Sequence, residues 1–156
     1  MPILSIPGLK DLKLRHLVMD YNGTLAFDGF LQLGVAADII ELSRSYQIHI
    51  LTADTYGQAL QQFAGLPVTL RIIRPTQQAE AKLDYLHRLG PETVVAIGNG
   101  RNDRLMLEAA ALGIAVLERE GTAVEAVHAA TLTVHGINHA LGLLRSPARM
   151  IATLRS

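Results

Sequence analysis

The chain has no cysteine, which excludes thiol catalysis and thiolate metal sites. It has no excess charge of either sign, since 14 basic residues balance 14 acidic ones. No general field therefore draws it to nucleic acid or to an anionic membrane surface, and its partners are expected to be small. No stretch approaches the roughly 18 uninterrupted apolar residues that a membrane-spanning helix needs. The start, Met1 to Lys10, lacks the charged region and sustained apolar run of a signal peptide, so a cytoplasmic protein is expected. Internal repeats, low-complexity tracts and linkers are also missing, and 156 residues suit one domain, 1–156, with a single core.

What is there is a regular alternation of short apolar β-type runs with amphipathic segments, which predicts an α/β fold of parallel strands joined by crossover helices. Strands are expected at Leu14 to Asp20, Gln47 to Thr52, Val68 to Ile73, Thr93 to Gly98, Ile114 to Leu117 and Leu132 to Val134. Helices are expected at Val35 to Tyr46, Tyr56 to Ala64, Gln77 to Leu89, Asp103 to Leu112, Ala123 to Ala129 and Asn138 to Leu144, with Gly90-Pro91 and Gly113 as stop signals. Asp28-Gly29 between apolar pairs predicts a two-residue hairpin after the first strand, standing over the strand end.

In an open parallel sheet, ligands bind beyond the carboxyl ends of the strands. The first strand ends in Asp20 and turns at once into Tyr21-Asn22-Gly23-Thr24, the second ends in Thr52-Ala53-Asp54, and the fourth ends in Gly98-Asn99-Gly100-Arg101-Asn102-Asp103. A strand that carries a carboxylate to the sheet edge, followed by small residues, suits a nucleophile or a metal ligand. Only three lysines stand against eleven arginines, and two of them, Lys10 and Lys13, lie in the leader. The third, Lys82, shares a helix face with Ala79, Leu86 and Leu89, which points its ammonium toward the sheet, where it needs an anionic partner.

These four segments resemble, in order and spacing, the four motifs of the haloacid dehalogenase superfamily, and among its members a small soluble group similar to the phosphorylation domain of P-type ATPases. The likeness runs from about Leu14 to Val116 and rests most on Asp20-Tyr-Asn-Gly-Thr24 and on Gly98-Asn-Gly-Arg-Asn-Asp103. The resemblance implies a three-layer Rossmann-like sheet with a hairpin flap after strand one. It also implies that Asp20 attacks phosphorus to form an aspartyl-phosphate. Thr52, Ala53, Lys82 and Gly23 would cradle the phosphoryl group. Mg²⁺ would be held among Asp20, Asn22 through its main-chain carbonyl, Asn99 and Asp103. The implied substrate is a small phosphorylated molecule, with phosphate as the bound product.

Two residues depart from the family pattern. Asn22 stands where family phosphatases usually carry the aspartate that protonates the leaving group, and an amide cannot do that work. Asn99 stands where an aspartate usually binds the metal. A catalytically weak phosphate-binding or protein-interaction module is therefore the alternative reading. A dinucleotide fold is disfavoured because Asp103 takes the place of the third glycine, and a phospho-receiver would want an acidic pair after strand one. His135 and His139 have ligand-like spacing interrupted by Gly136. His16, His49, His87 and His128 are scattered, and Arg145, Arg149 and Arg155 are expected on a solvated helix face. Asp20 and Thr52 enclose 31 residues and Thr52 and Lys82 enclose 29, too few for a cap domain, so homo-oligomerisation is expected as one way to cover an open site.

Overall fold

A computed structural model describes residues 1–54 and 57–156. The chain opens with a two-stranded antiparallel ribbon, β1 (Ile3–Leu4) and β2 (Leu12–Lys13). It then enters the central sheet at β3 (His16–Asp20). A hairpin follows, β4 (Ala26–Phe27) and β5 (Phe30–Leu31). Its turn residues Asp28 and Gly29 both have positive φ, 50° and 83°, as a primed two-residue turn requires.

Helix α1 (Val35–Leu42) leads to β6 (Gln47–Thr52), α2 (Ala59–Gln62) to β7 (Val68–Ile72) and α3 (Gln78–Leu89) to β8 (Val94–Gly98). Then α4 (Arg104–Ala109) leads to β9 (Leu112–Leu117) and α5 (Val124–Ala129) to β10 (Leu132–His135), before α6 (Ile137–Arg145) and α7 (Pro147–Leu154) close the chain. Six strands pair all-parallel in the order β10-β9-β8-β3-β6-β7. The chain builds one side of β3 first and then crosses to the other. The strand order therefore reverses between β3 and β8, where an open sheet leaves a crevice at its carboxyl edge.

Strand parity divides the core. Leu17, Met19, Ile48, Ile50, Val95 and Ile97 face the cluster formed with α1, α6 and α7, whereas Val18, Leu51, Val94 and Ala96 face α3, α4 and α5. Asp20 has the parity of Val18. It therefore emerges on the side of α3, the helix that carries Lys82.

The segment ahead of β3 packs into the fold, with Leu4, Ile6, Leu12 and Leu14 buried in the larger cluster. Several sequence expectations are corrected. The helix expected from Val35 to Tyr46 ends at Leu42, and the one expected from Tyr56 to Ala64 is described only from Ala59 to Gln62, Tyr56 lying outside the described residues. The helix expected from Asp103 to Leu112 ends at Ala109, because Leu112 already belongs to β9. Gly113 is no helix stop but an interior residue of that strand. A Cβ there would lie 2.2 Å from the Leu107 carbonyl oxygen, so only glycine lets α4 close against the strand. Gly113→Ala is expected to destabilise the protein by about 1–3 kcal/mol or more through forced overpacking, which thermal denaturation would detect. At the end of the chain, α7 is not wholly solvated, since Met150 is buried. Arg145 belongs to α6 and reaches Asp38 and Glu41 of α1 at 3.4 and 3.3 Å.

Candidate active site

The carboxyl ends of β3, β6 and β8 bring the sequence-selected residues into one buried polar cluster. Asp20, the last residue of β3, is 6% exposed. Its Oδ1 accepts from Lys82 Nζ at 2.7 Å, and its Oδ2 accepts from Thr24 Oγ1 at 3.3 Å. Lys82 is fully buried, and its ammonium also donates to Asp103 Oδ1 at 2.6 Å. Helical spacing placed this lysine inward, and Ala79 and Leu86 are buried beside it on α3.

One ammonium thus stands between two carboxylates, and the cluster keeps one uncompensated negative charge. The acid–base balance follows. Burial, and then the charge of Asp103, push the Asp20 carboxyl up to about 6 against the opposing pull of Lys82. Burial alone would lower the Lys82 pKa, but Asp103 and Asp20 outweigh it and hold the ammonium above its ordinary range. A second cation is what such a site lacks.

Asp103, grouped with the metal ligands on sequence grounds, has both oxygens engaged. Oδ1 takes the Lys82 contact, and Oδ2 accepts from the main-chain N–H groups of Asn99 and Gly100 at 3.0 and 2.9 Å. This carboxylate pins the loop after β8 and orients Lys82. Gly98 makes room for it, since a Cβ there would fall 2.5 Å from Asp103 Cγ.

Asn99 lies on the other side of Thr24. Its Oδ1 lies 3.0 Å from Thr24 Oγ1, whose single proton it shares with Asp20 Oδ2 at 3.3 Å, so one hydroxyl gathers these two oxygens around a common point. Asn22 is half-buried in the turn after β3, and its Oδ1 is buried without a hydrogen-bond partner. The turn is held by Thr24, Leu25 and Ala26 N–H groups donating to the Tyr21 carbonyl. Gly23 within it has φ 77°, and a Cβ there would approach Asn99 Nδ2 to 2.5 Å, so both conformation and space demand glycine. At the end of β6, Thr52 is 2% exposed and its Oγ1 accepts from Asp54 N–H at 2.9 Å, while Ala53 is half-buried.

The oxygen set fits a hard divalent cation. A carboxylate oxygen of Asp20 and the amide oxygen of Asn99, both beside the Thr24 hydroxyl, are hard oxygen donors next to residual negative charge. His135 and His139 do not join it. His139 Nδ1 lies 2.5 Å from the His135 carbonyl oxygen, and no group of three or more His, Cys, Asp or Glu placed to hold a metal occurs among the described residues.

One polar chain was not foreseen. His16 Nδ1 lies 3.0 Å from His49 Nε2, and His49 Nδ1 lies 2.9 Å from the Tyr85 hydroxyl. Burial, then His16 and Arg71, lower the His49 pKa to about 4, so the ring is neutral and serves as a buried link between sheet and α3. Parity was the available signal, because His16 shares the face of Asp20.

A family model for haloacid dehalogenase-like hydrolases matches residues 68–141. An uncharacterized protein of Methanocaldococcus jannaschii is 42% identical over 79 residues, which cover 48% of this chain and 85% of that protein. The chain belongs to the haloacid dehalogenase-like hydrolases. Among solved structures of this fold, a 3-deoxy-D-manno-octulosonate 8-phosphate phosphatase from Moraxella catarrhalis, in complex with magnesium, phosphate and the sugar, is similar with a TM-score of 0.63. It is 16% identical, and the match covers 92% of this chain and 95% of that one. A zinc-transporting PIB-type ATPase in its E2.Pi state is 28% identical, with a TM-score of 0.54, over 80% of this chain but 19% of the transporter. No helix of this haloacid dehalogenase-like hydrolase, among the described residues, is long and apolar enough to cross a membrane.

Proposed function

We propose that this hydrolase is a Mg²⁺-dependent phosphatase that passes a phosphoryl group through Asp20. The observation that carries the reading is the buried Asp20–Lys82–Asp103 cluster at the point where the strand order reverses, with a single ammonium shared by two carboxylates at 2.7 and 2.6 Å. Mg²⁺ would be held by Asp20, the main-chain carbonyl of Asn22 and Asn99; that a phosphatase of this fold is found in complex with magnesium supports a divalent cation here. It would supply the positive charge that lets an anionic phosphoryl group approach a carboxylate. Asp103 acts behind this set, orienting Lys82 rather than spending an oxygen on the metal.

In the first step an Asp20 carboxylate oxygen bonds to phosphorus while the bond from phosphorus to the leaving oxygen breaks, and the electron pair departs with that oxygen. Lys82 neutralises charge on Asp20 and the phosphoryl group. Thr52, with Gly23 and Ala53, contributes hydrogen bonds and room for the phosphoryl oxygens. Water then attacks phosphorus, the bond from phosphorus to the Asp20 oxygen breaks with its electron pair returning to the carboxylate, and the water oxygen leaves as part of phosphate, its surplus proton passing to phosphate or solvent.

Asn22 sets the substrate preference. Its amide has no proton to give, so the leaving oxygen must depart as an anion, which favours acyl phosphates and nucleotide anhydrides over sugar phosphates. The 28% identity to a P-type ATPase supports the same preference. The unpartnered Asn22 Oδ1 favours the second reading, a phosphate-binding module with little turnover.

Phosphate release from acetyl phosphate, ATP and p-nitrophenyl phosphate separates the two readings. Asn22→Asp is expected to raise turnover of p-nitrophenyl phosphate by about 10²-fold, the low end of what a general acid contributes, and to change acetyl phosphate turnover far less. Equal stimulation of all three donors would show that residue 22 does not face the leaving group.

A further inference from the structure

The amide of Asn99 does something that a carboxylate in its place could not. While Oδ1 accepts from Thr24, Nδ2 donates to the main-chain oxygen of Gly121 at 2.9 Å. The Gly121 carbonyl can only accept, so it requires a donor at position 99 and fixes which way the amide points. An ionised aspartate would set an oxygen against that oxygen.

Gly121 lies in the loop from Glu118 to Thr122 that follows β9, and this loop is anchored at both ends. Glu118 Oε1 accepts from the Ile137 N–H at the start of α6 at 2.6 Å, and Thr122 Oγ1 donates to the Val116 carbonyl at 2.6 Å. Beyond it, Ala123 N–H donates to the Asn99 carbonyl at 2.8 Å. The middle of the loop reaches across to the hairpin after Asp20. The Arg119 guanidinium lies 3.9 Å from the centroid of the Phe27 ring, a cation–π contact, and Glu120 Oε2 accepts from the Asp28 N–H at 3.3 Å.

We propose that Asn99 is a positioning residue that straps the β4–β5 hairpin to the reaction site. Its amide holds Gly121, the loop carries Arg119 and Glu120, and these grip Phe27 and Asp28 at the hairpin tip. The asparagine gives up one negative charge at the metal site and in exchange ties its own orientation to that of the hairpin. The tip is otherwise held by Tyr21, whose hydroxyl donates to the Gly29 carbonyl at 2.5 Å, and the base by the Leu31 N–H donating to Gln62 Oε1 at 3.1 Å. The strap therefore governs one side of the tip and not the whole hairpin. The proposal rests on the reading of the Asp20 cluster as the reaction site, but its test needs no turnover.

Amide hydrogen exchange, followed by NMR on the metal-free protein, tests it in wild type, Asn99→Asp and a double variant at Arg119 and Glu120. In Asn99→Asp, exchange of the Gly121 and Asp28 amides is expected to quicken by about tenfold, the equivalent of one lost hydrogen bond, while Leu31 and the strands β8 and β9 keep their protection. Glutamine at 120 could still accept from the Asp28 N–H, so the double variant is made as Arg119→Ala/Glu120→Ala, which lies outside the site and in which Asp28 is expected to exchange faster and the Asn99 side-chain amide resonance to shift. Unchanged protection at Gly121 and Asp28 in Asn99→Asp would overturn the strap, as would a loss spread evenly over the sheet. An Asn99 resonance that stays put in the double variant would also overturn it. Absence of phosphate release from the wild type would sink the catalytic reading and leave this exchange result standing.

Discussion

Asp20→Asn is expected to release no measurable phosphate and yet to melt at a higher temperature than the wild type at pH 7. The catalytic loss follows from removing the nucleophile, for which a fall on the order of 10⁵-fold or more is usual. The gain in stability follows from the charge arithmetic. The folded-state pKa of Asp20 is raised from 3.8 to about 6, above its unfolded value. Between these two values the native state binds more protons than the unfolded chain, so stability falls as pH rises from about 4 to 6 and stays lower above that. A shift of this size corresponds to roughly 2–3 kcal/mol, which the neutral amide recovers.

The difference between variant and wild type should therefore be large at pH 7 and shrink toward pH 4. Mg²⁺ should raise the melting temperature of wild type and leave that of Asp20→Asn nearly unchanged, because the cation compensates the same charge. Thermal melts across pH, with and without Mg²⁺, decide the matter. If Asp20→Asn were less stable than wild type at pH 7, the carboxylate would be a structural anchor, and the picture of a site strained for chemistry would fail.

Lys82→Met should have the opposite effect on stability. The ammonium is fully buried and contacts both Asp20 and Asp103. Deleting it leaves two carboxylates in a dry site with no countercharge. Removing one partner of a buried charge set costs about 3–5 kcal/mol, and the loss should shrink as the medium is acidified, because Asp20, freed of the Lys82 pull that holds its pKa down, takes up its proton more readily than in wild type. Lys82→Met combined with Asp20→Asn should be more stable than Lys82→Met alone, since neutralising one carboxylate removes much of the repulsion. Denaturant titration of the three variants at pH 5 and pH 7 measures this coupling. Additive effects, in which Asp20→Asn stabilises the Lys82→Met background no more than it stabilises wild type, would mean that Lys82 and Asp20 do not share a charge network, contrary to the 2.7 Å contact.

The amino-acid sequence by itself determined the elements whose local pattern is strong. Strand β6, Gln47–Thr52, falls at the expected residues, and β3, β7, β8 and β10 fall within two of them, because unbroken apolar runs suit strands covered on both faces. The inward aim of Lys82 was equally legible, since helical spacing alone sets which side chains share a face. The glycines and asparagines of the two site loops could be picked out for their chemistry, but their partners could not.

Only the tertiary structure decided those partners, and the physical reason is that contacts between distant segments depend on register, parity and layer order. The pairing of His16 with His49 required β3 and β6 to lie side by side in register, His16 opposite Gln47. The burial of the leader required a core edge for Leu4 and Leu12 to cover. The end of α4 at Ala109 was set by the closeness of Gly113 to the Leu107 backbone, a constraint that overrides the helical propensity of Ala110 and Ala111. The engagement of both Asp103 oxygens, and of the Asn99 amide with Gly121, arises because the loops after β8 and β9 share one edge of the sheet, an adjacency that exists only once the six strands are in order.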